Sequence, residues 1–194
     1  MGTETAHTRI VDGREVPPPG RWNIDTAHSS IGLVARHMMI SKVRGRFREF
    51  SGFADIADVP ERSLVEVTIQ AASIDTDDEE RDRHLRSPDF LDVDRFPTIT
   101  YLSTAVRPTA GDRWELSGDL TIRGVTKPVT MDVEFEGAAV DPWQNLRAGF
   151  LATTEINRDE FDMTWNQALE TGGFLVGKGI KVEADVELVL QSES

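Results

Sequence analysis

Long stretches of the chain alternate apolar and polar residues with a period of two. The three clearest segments are residues 113–123, 129–136 and 181–190. In the second segment, Val133 and Phe135 lie on one face of an extended chain, and Asp132 and Glu134 lie on the other. Because successive side chains of a β-strand point to opposite faces, this pattern predicts strands with one face in a core and one in water.

Weaker alternation marks further strands and brings the total to eight or nine. These segments are residues 22–28, 31–38, 43–57, 64–74, 98–107 and 146–157. Ser29 and Ser30 are expected to form the turn of the first hairpin. Short connections of this kind predict antiparallel neighbours.

Only one segment has the signals of a helix. Thr76 and Glu79 fit a capping box, and Ser87 and Pro88 are expected to end the helix. A helix this short cannot cover a sheet, so the strands must stack as two sheets or close into a barrel. Several predicted strands are long, which favours a tall all-β barrel. A barrel of about eight strands is either filled by its own side chains or open to one ligand.

The length of 194 residues is ordinary for a single all-β domain. The first residues include the run Pro17, Pro18 and Pro19 and offer little apolar surface to bury. Residues 1–20 are therefore predicted to be a disordered, solvated tail. Residues 21–194 are predicted to form one barrel domain.

Composition excludes several classes of function. The chain carries 21 basic and 34 acidic residues, and its net charge of −13 repels phosphate, so nucleic acid is not an expected partner. It has no cysteine, which excludes disulfides, thiolate metal sites and cysteine nucleophiles. The sequence has neither a run of about 18 apolar residues nor the pattern of an export signal. We therefore expect a cytoplasmic protein without stable membrane insertion.

A series of short motifs resembles the YceI-like family. In chain order they are residues 22–29 (WNIDTAHS), 31–37 (IGLVARH), 42–47 (KVRGRF), 73–76 (SIDT), 81–87 (RDRHLRS), 89–92 (DFLD), 96–97 (FP), 118–129 (GDLTIRGVTKPV) and 156–158 (INR) with Asp159 and Phe161. The resemblance covers about residues 21–190. It implies an extended eight-stranded antiparallel lipocalin-like barrel whose elongated cavity accepts a polyisoprenoid, an isoprenoid quinone or a related amphiphilic lipid. It also implies that a homodimer can form.

The match is weaker after Phe161. Members of the family often continue there with glycine, whereas this chain has Asp162, Met163, Thr164 and Trp165. The shape of this loop is therefore not implied by the resemblance.

A polyisoprenoid chain forms no hydrogen bonds, so its site needs a long apolar wall with few unpaired polar groups. The apolar phases of the strands supply such a wall. The candidate ligand-binding residues are Ile24, His28, Ile31, Leu33, His37, Val67, Ile69, Tyr101, Leu120, Ile122, Val133, Phe135, Phe150, Arg158, Val182 and Val186. The alternative is that the apolar members of this set fill a solid core.

The polar candidates have two interpretations each. His28 and His37 fall on the apolar phase, where either a neighbouring polar group or a lipid head group would satisfy the ring nitrogens. They are expected at opposite ends of the first hairpin, so no metal site is predicted. Arg158 is a candidate for an anionic or carbonyl head group. The arginines at 44, 46 and 48 most simply form a solvated strand face with carboxylate partners.

Two segments are candidates to cover the barrel opening. The charged helix at residues 75–86 is either a lid or an ordinary surface helix. Residues 157–173 contain Phe161, Trp165 and Leu169 among polar residues and form either a mobile flap or an ordered loop packed on the rim.

The first functional hypothesis is a binding module that carries or stores a long apolar lipid, in connection with isoprenoid supply or stress. It requires no catalytic residue, cofactor or metal. The alternative is an enzyme acting on a prenyl or fatty substrate in the same cavity, with His28 or His37 as general base. This alternative ranks lower because the sequence has no Gly-x-Ser-x-Gly elbow, no His-Glu-x-x-His pair and no phosphate-binding glycine loop. A structural domain with a solid interior is the third option.

Overall fold

The computed structural model describes residues 7–170 and 172–191. Their regular elements are many strands and one α-helix. The strands are β1 (Arg9–Val11), β2 (Arg14–Val16), β3 (Gly20–Ile24), β4 (Ser30–His37), β5 (Ser41–Phe47), β6 (Phe50–Ile56), β7 (Leu64–Gln70), β8 (Ile74–Asp75), β9 (Thr98–Pro108), β10 (Arg113–Ile122), β11 (Val125–Val140), β12 (Leu146–Asn157) and β13 (Val176–Leu190), and the helix is α1 (Glu79–Arg86).

The strands form a closed, eight-stranded antiparallel barrel, which confirms the predicted fold class. Going round the barrel, β3, β6, β7, β9, β10, β11, β12 and β13 are hydrogen-bonded in that order, and β13 pairs with β3 to close the ring. Three positions in this ring hold two short strands end to end. β4 extends β3 along β13, β5 extends β6 along β4, and β8 extends β7 along β5. Neighbours in sequence are therefore neighbours in space, as short connections favour.

The predicted hairpin turn at Ser29 and Ser30 is wrong. β3 and β4 do not pair with each other, because both pair with β13, through Ile24 opposite Leu188 and Ser30 opposite Asp185. The residues between them form a break in one long strand, and the chain reverses instead at residues 38–40. The break changes the phase of the alternation, since Ile24 and Ile31 both line the interior although they are seven residues apart.

The strand predicted over residues 43–57 is interrupted in the same way. It divides at Arg48 and Glu49 into β5 and β6. The backbone groups at the break are still paired: Arg48 N–H donates to the Ser73 carbonyl, and Gln70 N–H donates to the Glu49 carbonyl. The two halves therefore remain one wall of the barrel with a local irregularity.

Helix α1 begins two residues later than the predicted capping box. Its N-cap is Asp78, whose carboxylate accepts from the backbone N–H of Arg81. Thr76 instead donates its hydroxyl to Asp82 and its backbone N–H, at 2.9 Å, to the same oxygen. Because Asp82 is buried, these bonds satisfy its carboxylate and fix the loop that leads into the helix.

The N-terminal segment is not a tail over its whole predicted length. Residues 9–16 form the hairpin of β1 and β2. Arg9 donates to the carbonyls of Ala57 at 2.6 Å and Asp58 at 2.7 Å, and Val16 is only 4% exposed. The signal for this hairpin is present in the sequence as an Asp-Gly turn at residues 12–13, a pair that favours tight β-turns.

The two ends of the barrel carry different structures. One end, here called the hairpin end, is covered by β1 and β2. The other, the helix end, carries α1 and the loop at residues 158–175. The buried apolar residues form two clusters, one around Trp22 and Leu188 and the other around Ile99 and Phe161, and the cavity lies in the barrel with them.

Candidate functional site

A cavity of about 740 Å³ occupies the barrel interior. Fifteen of the sixteen residues selected from the sequence line it: Ile24, Ile31, Leu33, His37, Val67, Ile69, Tyr101, Leu120, Ile122, Val133, Phe135, Phe150, Arg158, Val182 and Val186. Most are aliphatic or aromatic, so the wall is largely apolar. A volume of this size is within the range that holds a small-molecule ligand.

The inward side chains do not fill the barrel. Leu33, Val67, Val133 and Val182 point into the cavity, yet each is only partly buried. A residue in a filled core would be fully buried, because protein interiors are close-packed. The alternative of a solid core is therefore wrong for the middle of this barrel.

Tyr101 contributes its ring to the wall rather than a free hydroxyl. The hydroxyl donates to the Leu116 carbonyl at 2.9 Å and lies 3.2 Å from that of Val129. A side chain on Gly118 would collide with the ring, since a Cβ there would lie 2.5 Å from Tyr101 Cζ. Burial raises the pKa of the phenol above its ordinary value, so it stays neutral.

The polar part of the lining is concentrated at the helix end. The polar and charged residues there are Arg36, His37, Thr76, Asp78, Glu80, Arg81, His84 and Arg158. The rest of the lining contains few polar side chains. The cavity is thus amphipathic along its length, with an apolar tube and one polar end.

Arg158 is the most deeply buried of these charges, with 3% of its surface exposed. Its guanidinium donates to the carbonyls of Gly177 at 3.0 Å, Trp165 at 2.8 Å and Val176 at 3.3 Å, and also to that of Met163. Burial lowers its pKa from the ordinary value. These bonds hold the loop at residues 158–175 to β13 while the side chain faces the cavity.

The loop at residues 158–175 is packed on the rim. Besides the bonds from Arg158, Asn166 donates to the Val176 carbonyl at 2.7 Å and accepts from the Val176 N–H at 3.1 Å. Met163, Trp165 and Leu175 from this loop line the cavity. For the described part of this segment, residues 157–170 with 172 and 173, the contacts favour the ordered loop over the mobile flap.

Helix α1 lies against the cavity and not simply on the surface. Arg81, His84 and Leu85 line the interior. The Nε2 atom of His84 lies 2.9 Å from an Asp89 carboxylate oxygen, and its ring makes an edge contact with Trp165 at 4.5 Å between centroids. Sequence reasoning missed His84, because a charged helix with little apolar periodicity gives no sign of an inward face.

His28 lies outside the cavity, and the prediction that it faces the interior is wrong. Its Nδ1 atom is 3.0 Å from the Asp25 carboxylate, and its side chain is 61% exposed. The break between β3 and β4 removes residues 25–29 from the alternation, so a phase counted from Ile24 does not apply to them. Asp25, His28 and Glu187 lie close together, but the Arg147 guanidinium lies 2.5 Å from both carboxylates and already supplies the positive charge.

The alternating pattern could have identified further wall residues. Leu116 and Met131 share the inward phase of Leu120 and Val133 on their strands, and both line the cavity. The loop residues Met163 and Leu175 could not have been found in this way, because residues outside strands have no fixed phase.

Comparisons with known proteins place the chain in a family. The model of the YceI-like domain matches residues 22–188. The chain belongs to the YceI-like family. Among its relatives are UPF0312 proteins of Staphylococcus aureus strains USA300 and MW2, each 39% identical over 169 residues that cover 86% of this chain and 95% of the relative.

Solved structures share the YceI-like fold. BcnA of Burkholderia cenocepacia superposes with a TM-score of 0.74 at 22% identity, over 84% of this chain and 98% of that one. A YceI protein of Campylobacter jejuni gives 0.70 at 26% identity, over 81% and 90%. A polyisoprenoid-binding domain from Saccharophagus degradans, implicated in plant cell wall breakdown, gives 0.68 at 12% identity, over 90% and 100%.

The YceI-like match begins after the N-terminal hairpin. β1 and β2 therefore lie outside the family domain, although Val16 and Pro17 line its cavity. Within residues 7–170 and 172–191, no helix is long and apolar enough to cross a membrane.

Proposed function

We propose that this protein binds one long apolar amphiphilic lipid, a polyisoprenoid or an isoprenoid quinone, lengthwise in the barrel and carries or stores it. The observation that supports the proposal best is the partly empty apolar tube with polar groups at one end. The binding of polyisoprenoid by the Saccharophagus degradans domain, which has the same fold, agrees with it.

The position of the polar lining residues favours one orientation of the lipid. Each methylene taken out of water contributes about 0.8 kcal/mol before the costs of association, so the hydrocarbon supplies most of the affinity. A head group with oxygen acceptors would meet His37, Arg81 or Arg158 at the helix end, because these side chains carry N–H donors. The tail would then extend towards the hairpin end, where Val16, Pro17 and Pro60 line the cavity.

Binding is a better proposal than catalysis. Of the two residues that the enzyme hypothesis offered as general base, His28 lies outside the cavity and only His37 lines it. A cytoplasmic location, a homodimer and a link to stress stay predictions of the sequence, to be checked by fractionation, light scattering and expression analysis.

The proposal is tested by lipid uptake. The purified protein is extracted with organic solvent, any lipid is identified by mass spectrometry, and binding of an added prenyl alcohol or isoprenoid quinone is then titrated. We expect a prenyl lipid to be retained or taken up without chemical change. Absence of uptake by the folded protein would overturn the proposal, and a converted product would favour the enzyme.

A matched pair of variants locates the binding in the tube. Ala152 lines the cavity, whereas its neighbour Leu151 on β12 does not. Ala152→Trp places a large ring in the tube and should abolish uptake, while Leu151→Trp places the same ring outside and should preserve it. Equal uptake by both variants would contradict a site inside the barrel.

A further inference from the structure

The hairpin turn between β4 and β5 presents three apolar side chains to solvent. Met38 is 39% exposed, Met39 is 57% exposed and Ile40 is 83% exposed. Phe174, in the loop before β13, is 51% exposed. These four residues are called the mouth patch below. Neighbouring exposed apolar residues of this kind mark an interaction surface more often than isolated ones do.

The mouth patch lies at the rim of the cavity. The backbone N–H of Met38 donates to the Leu175 carbonyl at 2.8 Å, which joins the turn to the loop before β13. A Cβ on Gly173 would lie 3.8 Å from the Cγ of Met39, so the turn and the glycine next to Phe174 are in contact distance. His37 and Leu175, the residues that flank the patch, line the cavity.

The backbone conformation of this turn does not favour the methionines that occupy it. Met38 and Met39 have φ angles of +50° and +64°, in the left-handed region that Asn and Gly adopt most easily. A turn that served only to reverse the chain would carry Asn or Gly at these two positions. The turn instead exposes long, flexible apolar side chains to solvent at the helix end.

Positive charge lies directly behind the mouth patch. Arg36 and Lys42 are opposite each other on β4 and β5, and Arg44 follows on the same side. Among the residues that the structure describes, no carboxylate lies within 4 Å of the charged groups of these three. Farther from the turn, Arg46 and Arg48 are paired with Asp75. Like charges placed opposite each other destabilise a strand pair, and an external anion would relieve this repulsion.

Charge complementarity identifies the partner. An apolar tip with cationic side chains behind it matches a bilayer, where apolar groups enter the acyl boundary and cations meet anionic head groups. Because the whole chain has a net charge of −13, its remaining surface repels such a membrane. The exposed carboxylates of Asp78, Glu79 and Glu80 at the start of α1 repel it as well, so contact would be restricted to the corner formed by β4 and β5.

We infer that the mouth patch, with Arg36, Lys42 and Arg44, docks the β4–β5 corner of the helix end on an anionic lipid bilayer. Docking brings the part of the cavity lined by His37 and Leu175 next to the head groups, where a lipid can pass between bilayer and barrel. The passage of lipid rests on the proposed function; the docking itself does not.

Sedimentation of the full-length protein with vesicles tests the docking. The vesicles are phosphatidylcholine with or without phosphatidylglycerol. We expect the protein to sediment with anionic vesicles and much less with neutral ones. M39S/I40S should weaken binding by about tenfold or more. R36Q/K42Q should weaken it by about 30-fold and reduce its dependence on salt.

The control variant carries equivalent changes at the hairpin end, in Ile10 on β1 and Trp143 in the turn between β11 and β12. I10S/W143S alters two side chains that are 69% and 78% exposed, and it should bind vesicles like the wild type. The inference is overturned if the wild type does not sediment, if neutral and anionic vesicles bind equally, or if the control loses as much binding as M39S/I40S. A dimer in light scattering that M39S/I40S converts to a monomer would assign the patch to a second copy and also overturn it.

A parallel measurement separates docking from lipid binding. A fluorescent prenyl alcohol is added from ethanol in the absence of vesicles. Unchanged uptake by M39S/I40S together with lost sedimentation supports the docking inference as an independent property. Sedimentation without any uptake, by wild type or variants, would retain the docking and reject the lipid-binding proposal.

Discussion

Hydroxyl groups placed on the wall of the tube should weaken lipid binding without unfolding the barrel. Val133→Thr together with Val182→Thr adds two hydroxyls at nearly constant volume. Both valines line the cavity and are partly accessible, so the hydroxyls are solvated while no lipid is bound. A bound hydrocarbon chain would remove that water and offer no hydrogen bond in return.

The magnitude follows from the cost of an unpaired polar group. Each desolvated hydroxyl costs about 1–3 kcal/mol in protein contexts. The two together should therefore cost at least about 2 kcal/mol, which is a factor of about 30 in the dissociation constant. The free energy of unfolding should change much less, because the hydroxyls are not desolvated by folding.

The assay is a titration with a fluorescent prenyl analogue, accompanied by urea unfolding. Val34→Thr with Val189→Thr is the matched control, since these valines lie on β4 and β13 but do not line the cavity. Wild-type affinity in a stable Val133/Val182 variant would refute the reasoning. An equal loss of affinity in the control would refute it as well.

Three further predictions concern stability and the closure of the barrel. Arg158→Met leaves several buried carbonyls without a donor and should lower the free energy of unfolding in urea by about 3 kcal/mol; an unchanged value would contradict this. Arg147, with a smaller contribution from His28, lowers the pKa of Asp25 from 3.8 to about 2. A carboxylate whose pKa is lowered by folding stabilises the folded state at pH values above its ordinary pKa, so this contribution is lost as pH falls from about 4 to about 2. Arg147→Met should remove that part of the acid-unfolding curve followed by circular dichroism. Arg9→Ala with Arg14→Ala removes hydrogen bonds that hold the N-terminal hairpin to the barrel. Proteolysis within residues 9–16 and release of bound lipid should both become faster. An unchanged rate of either would show that other contacts hold the hairpin.

The wall of the barrel could be predicted because alternation reports which face a residue occupies. Val133 and Phe135 share a phase on β11, and both line the cavity. The same information does not say which strands are neighbours, nor whether the enclosed space is filled. Those properties depend on contacts between distant parts of the chain, and only the resemblance to a known family indicated them.

The errors arise where a strand is interrupted. A pair of serines at 29 and 30 gives the same local signal in a hairpin turn and in a bulge, since both leave the extended conformation briefly. The pairing with β13 decides between them, and it involves residues about 155 positions away in the sequence. Once the phase had shifted, His28 was assigned to the wrong face.

The helix end could be predicted only in part. The charged helix and the loop with Trp165 were candidates to cover the opening, and both contribute to the lining. The individual side chains that face inward, such as His84, depend on how α1 is held by Thr76 and Asp82. Such a network of side-chain bonds has no periodic signature in sequence.

The N-terminal hairpin covers one end of the barrel and thereby limits the length of the cavity. Val16 and Pro17 line the cavity at this end, so in the proposed binding mode a lipid with its head group at the helix end has a fixed length of tube for its tail. A prenyl chain shorter than this length leaves part of the tube empty, and a longer one has to fold back or project outward. The affinity of the protein for prenyl lipids should therefore depend more strongly on chain length than on the chemistry of the hydrocarbon.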